Sequence, residues 1–246
     1  MKQTALVTGA ASGLGNVIAT GLLQQGYQLV LTDVDAERAQ RAAAQLDNGE
    51  GRVLALGLDI RNKPDFERAL AATIDRFGSL EVLVNNAALT LATPVMEIGP
   101  DEFDRVITTN LRGTFIGCQT VGRYFAAQGY GRIINLASLA GQNGGTASGA
   151  HYAASKGGIL TLTKVFAREL SKSGVTVNAI APGPMDSPAV HALVPEEKLV
   201  ELITAIPVGK LGDAEFVAQA VALLASPQAA FVTGATWDIN GGLFMR

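Results

Sequence analysis

A single cysteine, Cys118, stands in the 246-residue chain, so no disulfide can form within it. Its setting, "TFIGCQT", is apolar and helix-like, where a buried, inert thiol is the default. The two histidines, His151 and His191, do not form an H-E-x-x-H pair. With one cysteine beside them, no metal site is expected. Apolar runs stay short of the roughly 18 residues that a membrane span requires. No lysine- or arginine-rich block occurs and the formal net charge is −3, which argues against nucleic acid or an anionic membrane as partner. Neither G-x-S-x-G nor a P-loop is found, which removes the sequence signals of a hydrolase or an NTPase. The opening "MKQTALVTGAASG" has no apolar core followed by a cleavage pattern, so a cytoplasmic protein is expected.

Apolar residues make up 48% and charged residues 17%, enough for a large buried core. Short β-branched runs alternate with helical patterns. Residues 5–9, 28–33, 52–59, 80–86, 131–138, 175–182 and 235–239 read as strands. Most are nearly continuously apolar, as parallel strands covered on both faces are. Helical patterns occupy 13–25, 35–47, 63–77, 100–128, 152–172 and 213–226. Repeated β–α–β units imply a parallel sheet with helices on both faces. No linker divides the chain, so 1–246 is expected to form one domain. The segment 182–207, with Pro182, Pro184, Pro188, Pro195 and Pro207, breaks the rhythm and is expected to be a substrate lid.

The first strand runs into "TGAASGLG", Thr8 to Gly15, and then into a helix. Gly9, Gly13 and Gly15 permit a tight turn and close backbone approach, and the helix beyond offers free N–H groups to a pyrophosphate. The second strand ends at Asp33, whose carboxylate can accept from both ribose hydroxyls of NAD and repels the 2′-phosphate of NADP. Asp33 or Asp35 can also cap the following helix. Arg38 could balance a phosphate but falls within that helix.

In "HYAASKGG", Tyr152 and Lys156 are four residues apart, so one helix face carries both. A nearby ammonium favours the phenolate and lowers a tyrosine's pKa, which makes the phenol useful for proton transfer. His151 points about 100° away from Tyr152. It is expected to line substrate or lie at the surface, and His191 in the lid could touch substrate.

These motifs together resemble the short-chain dehydrogenases/reductases over essentially the whole length. The matching stretches are "TGAASGLG", "LDI" at 58–60, "NNAA" at 85–88, Asn110 in "TTNLRGTF", Ser138 in "NLASLAG", "YAASK" at 152–156, "NAIAPGP" at 178–184 and "FVTGATWDINGG" at 231–242. The resemblance implies a Rossmann-like, doubly wound parallel sheet of seven strands. It implies a catalytic set of Asn110, Ser138, Tyr152 and Lys156. Ser138 would hold the substrate oxygen and Tyr152 would move the proton. Lys156 would also bond the nicotinamide ribose, and Asn110 would interrupt its helix and hold a water. The cofactor would meet Gly9, Ser12, Gly13, Leu14, Gly15, Asp33, Asp59, Ile60, Asn86, Ala87, Ala88, Tyr152, Lys156, Pro182, Gly183 and Ser187.

Two departures stand out. Ala88 occupies a place where the family usually has glycine, and Ser187 stands for a threonine that touches the carboxamide. The expected function is hydride transfer between a nicotinamide cofactor and a secondary alcohol or ketone. NAD(H) is favoured by Asp33, with NADP(H) possible. The alternative is an NADPH-dependent reductase of 3-oxoacyl groups on acyl-carrier protein or CoA. Only Lys172 is basic across "AAQGY" and "SKSG", which disfavours an acidic carrier. A non-catalytic dinucleotide sensor is a lesser alternative, because such a protein would tolerate loss of Tyr152 or Lys156, and both are present. A homotetramer is expected, with a dimer next, packed through helices 100–128 and 152–172 and the chain end.

Overall fold

The computed structural model describes residues 3–145, 148–187, 190 and 195–246. Seven strands follow the chain in order: β1 (Thr4–Thr8), β2 (Gln28–Asp33), β3 (Val53–Gly57), β4 (Val82–Asn85), β5 (Gly131–Leu136), β6 (Val175–Pro182) and β7 (Thr236–Ile239). They form one sheet in the order β3-β2-β1-β4-β5-β6-β7, and every pairing is parallel. Each observed strand overlaps an expected run, and the seven-stranded parallel sheet is borne out.

The residue pattern explains the layering. Side chains of a strand alternate between faces. Ala5 and Val7 of β1 join one core with Leu29 and Leu31 of β2 and Val82 and Val84 of β4. That core is covered by α1 (Gly13–Gln24), α2 (Ala36–Leu46) and the helix Ala214–Ala225, through Ile18, Ala39 and Val217 among others. Leu6, Val30 and Leu83 face the other way. There they meet Phe66 of α3 (Lys63–Phe77) and Val121 and Phe125 of α5 (Gly113–Gln128). Both faces of the central strands are buried, which is why their sequences are apolar throughout.

The long helical pattern over 100–128 is not one α-helix. It divides into α4 (Pro100–Ile107), a π-turn at Thr108–Arg112, and α5. A left-handed glycine closes α5 at Gly129, with φ 72°. Asp35 caps α2, its side chain accepting from the N–H of Arg38 at 3.0 Å. The helix read over 152–172 begins earlier, as α7 (Ala150–Leu170), because Gly149 is its N-cap. A short helix, α6 (Ala140–Asn143), precedes it. Of the expected lid, Glu196–Ala205 is helical, while 188–189 and 191–194 lie outside the described residues, His191 among them. Among the described residues, no helix is long and apolar enough to cross a membrane, and no three metal-ligating side chains cluster.

Candidate active site

The sheet order reverses between β1 and β4, and parallel sheets bind ligands outside their carboxyl ends at such a switch. A cleft of about 700 Å³ opens there. Gly9, Ser12, Leu14 and Gly15 from the turn after β1 line it, with Asp33 at the end of β2 and Asp59 and Ile60 beyond β3. Asn86, Ala87 and Ala88 follow from β4, Ser138 from β5, Tyr152 and Lys156 from α7, and Pro182 and Gly183 from β6.

The glycine-rich turn is shaped by close approaches. Gly9 has φ 63°, and a Cβ on it would stand 2.8 Å from Cα of Ala87. A Cβ on Gly15 would stand 2.4 Å from both Nδ2 of Asn86 and the carbonyl oxygen of Gly9. Gly13, at φ 59°, has nothing within 4 Å of that position, although it is not among the cleft's lining residues. Nδ2 of Asn86 donates to the carbonyls of Thr8 and Gly9, at 2.9 and 3.1 Å. The Thr8 hydroxyl accepts from the N–H groups of Asn86 and Ala87, at 3.0 and 3.1 Å. These bonds, each of about 1 kcal/mol net, tie the turn to the end of β4. Ala88 does not strain the chain. Among the described residues, Asn48 is the one non-glycine with positive φ, so the alanine needs no special conformation.

At the far end, the carboxylate of Asp33 accepts from the N–H of Asp35 at 3.2 Å. Arg38 lines the same cleft, and its Nη2 donates to Oγ of Ser12 at 3.0 Å. The sequence placed Arg38 inside a helix, and the structure adds that the side chain reaches back across the turn. Asp59 forms a bidentate pair with Arg61, with a shortest contact of 2.6 Å. The hydrogen bonds from Arg61 hold its carboxyl below the usual carboxylate range.

The opposite end carries the polar cluster. Oγ of Ser138 accepts from the N–H of Ala140 at 3.1 Å, which leaves its proton to donate. The side chains of Ser138 and Thr90 stand beside the Tyr152 hydroxyl and favour its charged form. Lys156 is 3% exposed, and its Nζ donates to the carbonyl of Leu136 at 2.6 Å. The same Nζ lies 5.6 Å from the centroid of the Tyr152 ring. Burial pushes the lysine down to about 8.

The tyrosine behaves differently from the sequence expectation. Burial raises its pKa, and Ser138 and Thr90 only partly oppose that. Burial disfavours the phenolate, and Lys156, with one of its three donors on Leu136, stands 5.6 Å from the ring centroid.

Asn110 is fully buried within the π-turn, which does interrupt the helix. Its Oδ1 accepts from the N–H of Leu89 at 2.7 Å. Its Nδ2 donates to the Leu89 carbonyl at 3.0 Å and to Oγ of Ser155 at 3.1 Å. Its side chain thus meets the neighbour of Lys156, and its carbonyl accepts from Thr114 Oγ1 at 2.8 Å. Ser187 does not line the cleft; its hydroxyl accepts from the N–H of Val190 at 3.3 Å, and Met185 lines the cleft instead. His151 neither lines the cleft nor lies at the surface. It is fully buried, and its Nε2 lies 2.9 Å from Oε1 of Glu102 on α4. Burial pushes the Cys118 thiol up to about 12, which agrees with the inert role expected of it.

Sequence reasoning missed Thr8, Thr90 and Arg61. For Thr90 a signal existed: a hydroxyl just past "NNAA" falls at the carboxyl edge of β4. The pairing of Arg61 with Asp59 was equally local, two residues apart.

Comparisons with known proteins agree with this geometry. A family model described as Enoyl-(Acyl carrier protein) reductase matches residues 9–244. The chain is 39% identical to the 3-oxoacyl-[acyl-carrier-protein] reductase FabG of Vibrio cholerae, over 99% of this chain and 98% of that one. It is 35% identical to the (2S)-[(R)-hydroxy(phenyl)methyl]succinyl-CoA dehydrogenase subunit BbsD of Thauera aromatica, over 98% and 96%. A crystal structure of a short chain dehydrogenase from Bacillus anthracis superposes with a TM-score of 0.89 at 30% identity, covering 99% of this chain and 97% of the other. With the switch-point cleft and the Ser–Tyr–Lys cluster at its inner end, the chain belongs to the short-chain dehydrogenase/reductase family, and it is an NAD(P)-dependent oxidoreductase acting on a CH–OH or keto group.

Proposed function

We propose that the chain interconverts a ketone and a secondary alcohol with NAD(H), that Tyr152 moves the proton, and that the reacting group is carried on an acyl thioester. The observation that carries this reading is that Tyr152 lines one cleft with Ser138, Thr90 and the buried Lys156. The cleft suits a dinucleotide. Gly9 and Gly15 line it and leave no room for side chains that would block the turn. Lys156 has three N–H donors, and the carbonyl of Leu136 takes one of them.

When bound, the nicotinamide supplies the hydride. In the direction of reduction, Ser138 donates to the carbonyl oxygen as charge develops on it. Tyr152 gives that oxygen its proton and keeps the electron pair as phenolate. The ammonium of Lys156 then offsets the new negative charge. Burial keeps the phenol protonated at neutral pH, which is the form that reduction requires. Asn110 acts at one remove by setting the 89–91 segment that carries Thr90. The segment 182–207 serves as lid, and its helix Glu196–Ala205 has no buried residue.

Asp33 supports NAD(H), since a carboxylate at the end of β2 repels a 2′-phosphate. A second reading, an NADPH-dependent 3-oxoacyl reductase, draws support from Arg38, whose guanidinium stands at the same end of the cleft. The thioester class is suggested by the names of the relatives. We further read the chain as a cytoplasmic homotetramer, with a dimer as the next choice.

Initial rates with NADH and NADPH, on 3-oxoacyl-CoA thioesters and on simple ketones, test the reading. NADH with a thioester should be fastest. Tyr152→Phe should lose at least ~100-fold in kcat while still binding NADH. Near-parental turnover by that variant would sink the proton-transfer role, and a clear preference for NADPH would overturn the assignment of Asp33.

A further inference from the structure

His151 is fully buried at the start of α7, outside the cleft. Its Nδ1 lies 2.9 Å from the backbone nitrogen of Tyr152, and its Nε2 lies 2.9 Å from Oε1 of Glu102. A backbone N–H can only donate. Nδ1 must therefore be the unprotonated nitrogen, and the ring proton sits on Nε2 and is donated to Glu102. The first N–H groups of a helix have no partner inside it. The amide of Tyr152, third residue of α7, is one of these, and the side chain before it supplies the acceptor.

The surroundings are built around that ring. Thr93 and His151 together hold the Glu102 carboxyl below the usual carboxylate range. A Cβ on Gly149 would stand 2.3 Å from Cε1 of His151, so glycine leaves the ring its place. The N–H of Gly149 donates to the carbonyl of Leu91 at 2.8 Å, and Leu89 is held by Asn110. Thr90 lies between those two fixed residues and lines the cleft beside Tyr152 and Ser138. The tyrosine is thus held at its amide through His151, with its phenol in the cleft that Thr90 and Ser138 line.

We propose that His151 is a positioning residue: by accepting from the amide of Tyr152 at Nδ1, it fixes the start of α7 and aims the phenol at Ser138, while Glu102 steadies the ring from the other side. The inference rests on Tyr152 being the proton-transfer group. Two variants separate positioning from packing. His151→Phe keeps an aromatic ring and loses both hydrogen bonds. His151→Asn keeps an acceptor where Nδ1 stands and loses only the tie to Glu102. His151→Phe should lower kcat roughly tenfold or more, the scale expected when a reacting group is misplaced, with KM for NADH within about twofold. His151→Asn should recover most of that loss.

Parental kcat in His151→Phe would overturn the inference. So would equal impairment of both variants at parental thermal stability. A measurement on the parent protein needs no variant to fold: ¹⁵N NMR should show the His151 ring neutral and protonated at Nε2, and a proton on Nδ1 would overturn the inference. Tyr152→Phe, run alongside, keeps the two claims apart. If it is inactive while His151→Phe is normal, only the positioning role fails; if it is active, the proton-transfer reading fails with it.

Discussion

Lys156 carries its ammonium almost out of reach of water, with the carbonyl of Leu136 as its hydrogen-bond acceptor. Burial lowers its pKa from the ordinary 10.5 to about 8. Below pH 8 the lysine is charged in both the folded and the unfolded chain, and the desolvated charge opposes folding. Between pH 8 and 10.5 the folded lysine is neutral while the unfolded one still binds a proton. The unfolded state then holds more protons, so this residue makes stability rise with pH across that window. The comparison to make is Lys156→Met against the parent, by urea denaturation at pH 7, 8.5 and 10. The difference in stability should move in the parent's favour as the pH climbs. Parallel curves for the two proteins would show that the ammonium is not desolvated. The same burial keeps the phenol of Tyr152 protonated, so at neutral pH a neutral phenol stands beside a charged lysine. A dinucleotide with hydroxyls and phosphates near Lys156 would give its remaining donors acceptors and favour the charged form.

The turn between β1 and α1 shows how an element, rather than a residue, builds the cofactor end. Gly15 sits in the first turn of α1, at the point where Asn86 reaches over from the end of β4. Gly15→Ala would force a methyl to within 2.4 Å of Nδ2 of Asn86 and the carbonyl of Gly9, neither of which is a free end. The variant should lose NADH affinity by about tenfold or more, some 1.4 kcal/mol, because the turn must open to admit the methyl. Calorimetric titration with NADH reads it directly. Unchanged affinity at unchanged thermal stability would mean that the turn is softer than these contacts imply. This turn was legible in the sequence because glycine spacing, an apolar strand and a helix stood in the required order. The strands were legible for the same kind of reason, since burial on both faces leaves only apolar residues. The division of 100–128 was not: a π-turn adds backbone without changing composition, and the apolar pattern runs through it. The place of His151 was hidden as well, because its partner Glu102 lies 49 residues away and only the packing of α4 on α7 brings them together.

At the scale of the whole molecule, α7 has two tasks. One face carries Tyr152 and Lys156 into the cleft, and another presents apolar side chains outward. Val165 of α7 is 48% exposed, and Phe115 of α5 is 38% exposed. The rings of Phe115 and Phe166 stand 5.7 Å apart, so the patch spans both helices. Large apolar side chains gathered on a surface mark a site of association. The chain end is anchored too: Arg246 pairs with Asp238 of β7 at 2.8 Å, and Asp238 accepts from Gln142 of α6 at 2.6 Å. The strand at the sheet's edge is therefore tied to the helix that follows Ser138. Assembly through α5 and α7 would stiffen the helix that carries the tyrosine. Light scattering on the parent should give about four times the 25.5 kDa of one chain. Phe115→Asp combined with Val165→Asp sets charges where the proposed interface would exclude water, and should shift the mass toward dimer or monomer. The same change should lower kcat as well, because α7 loses a support on the side opposite the cleft. A double variant with parental mass would place the interface elsewhere, and a smaller particle with parental kcat would separate assembly from the geometry of Tyr152.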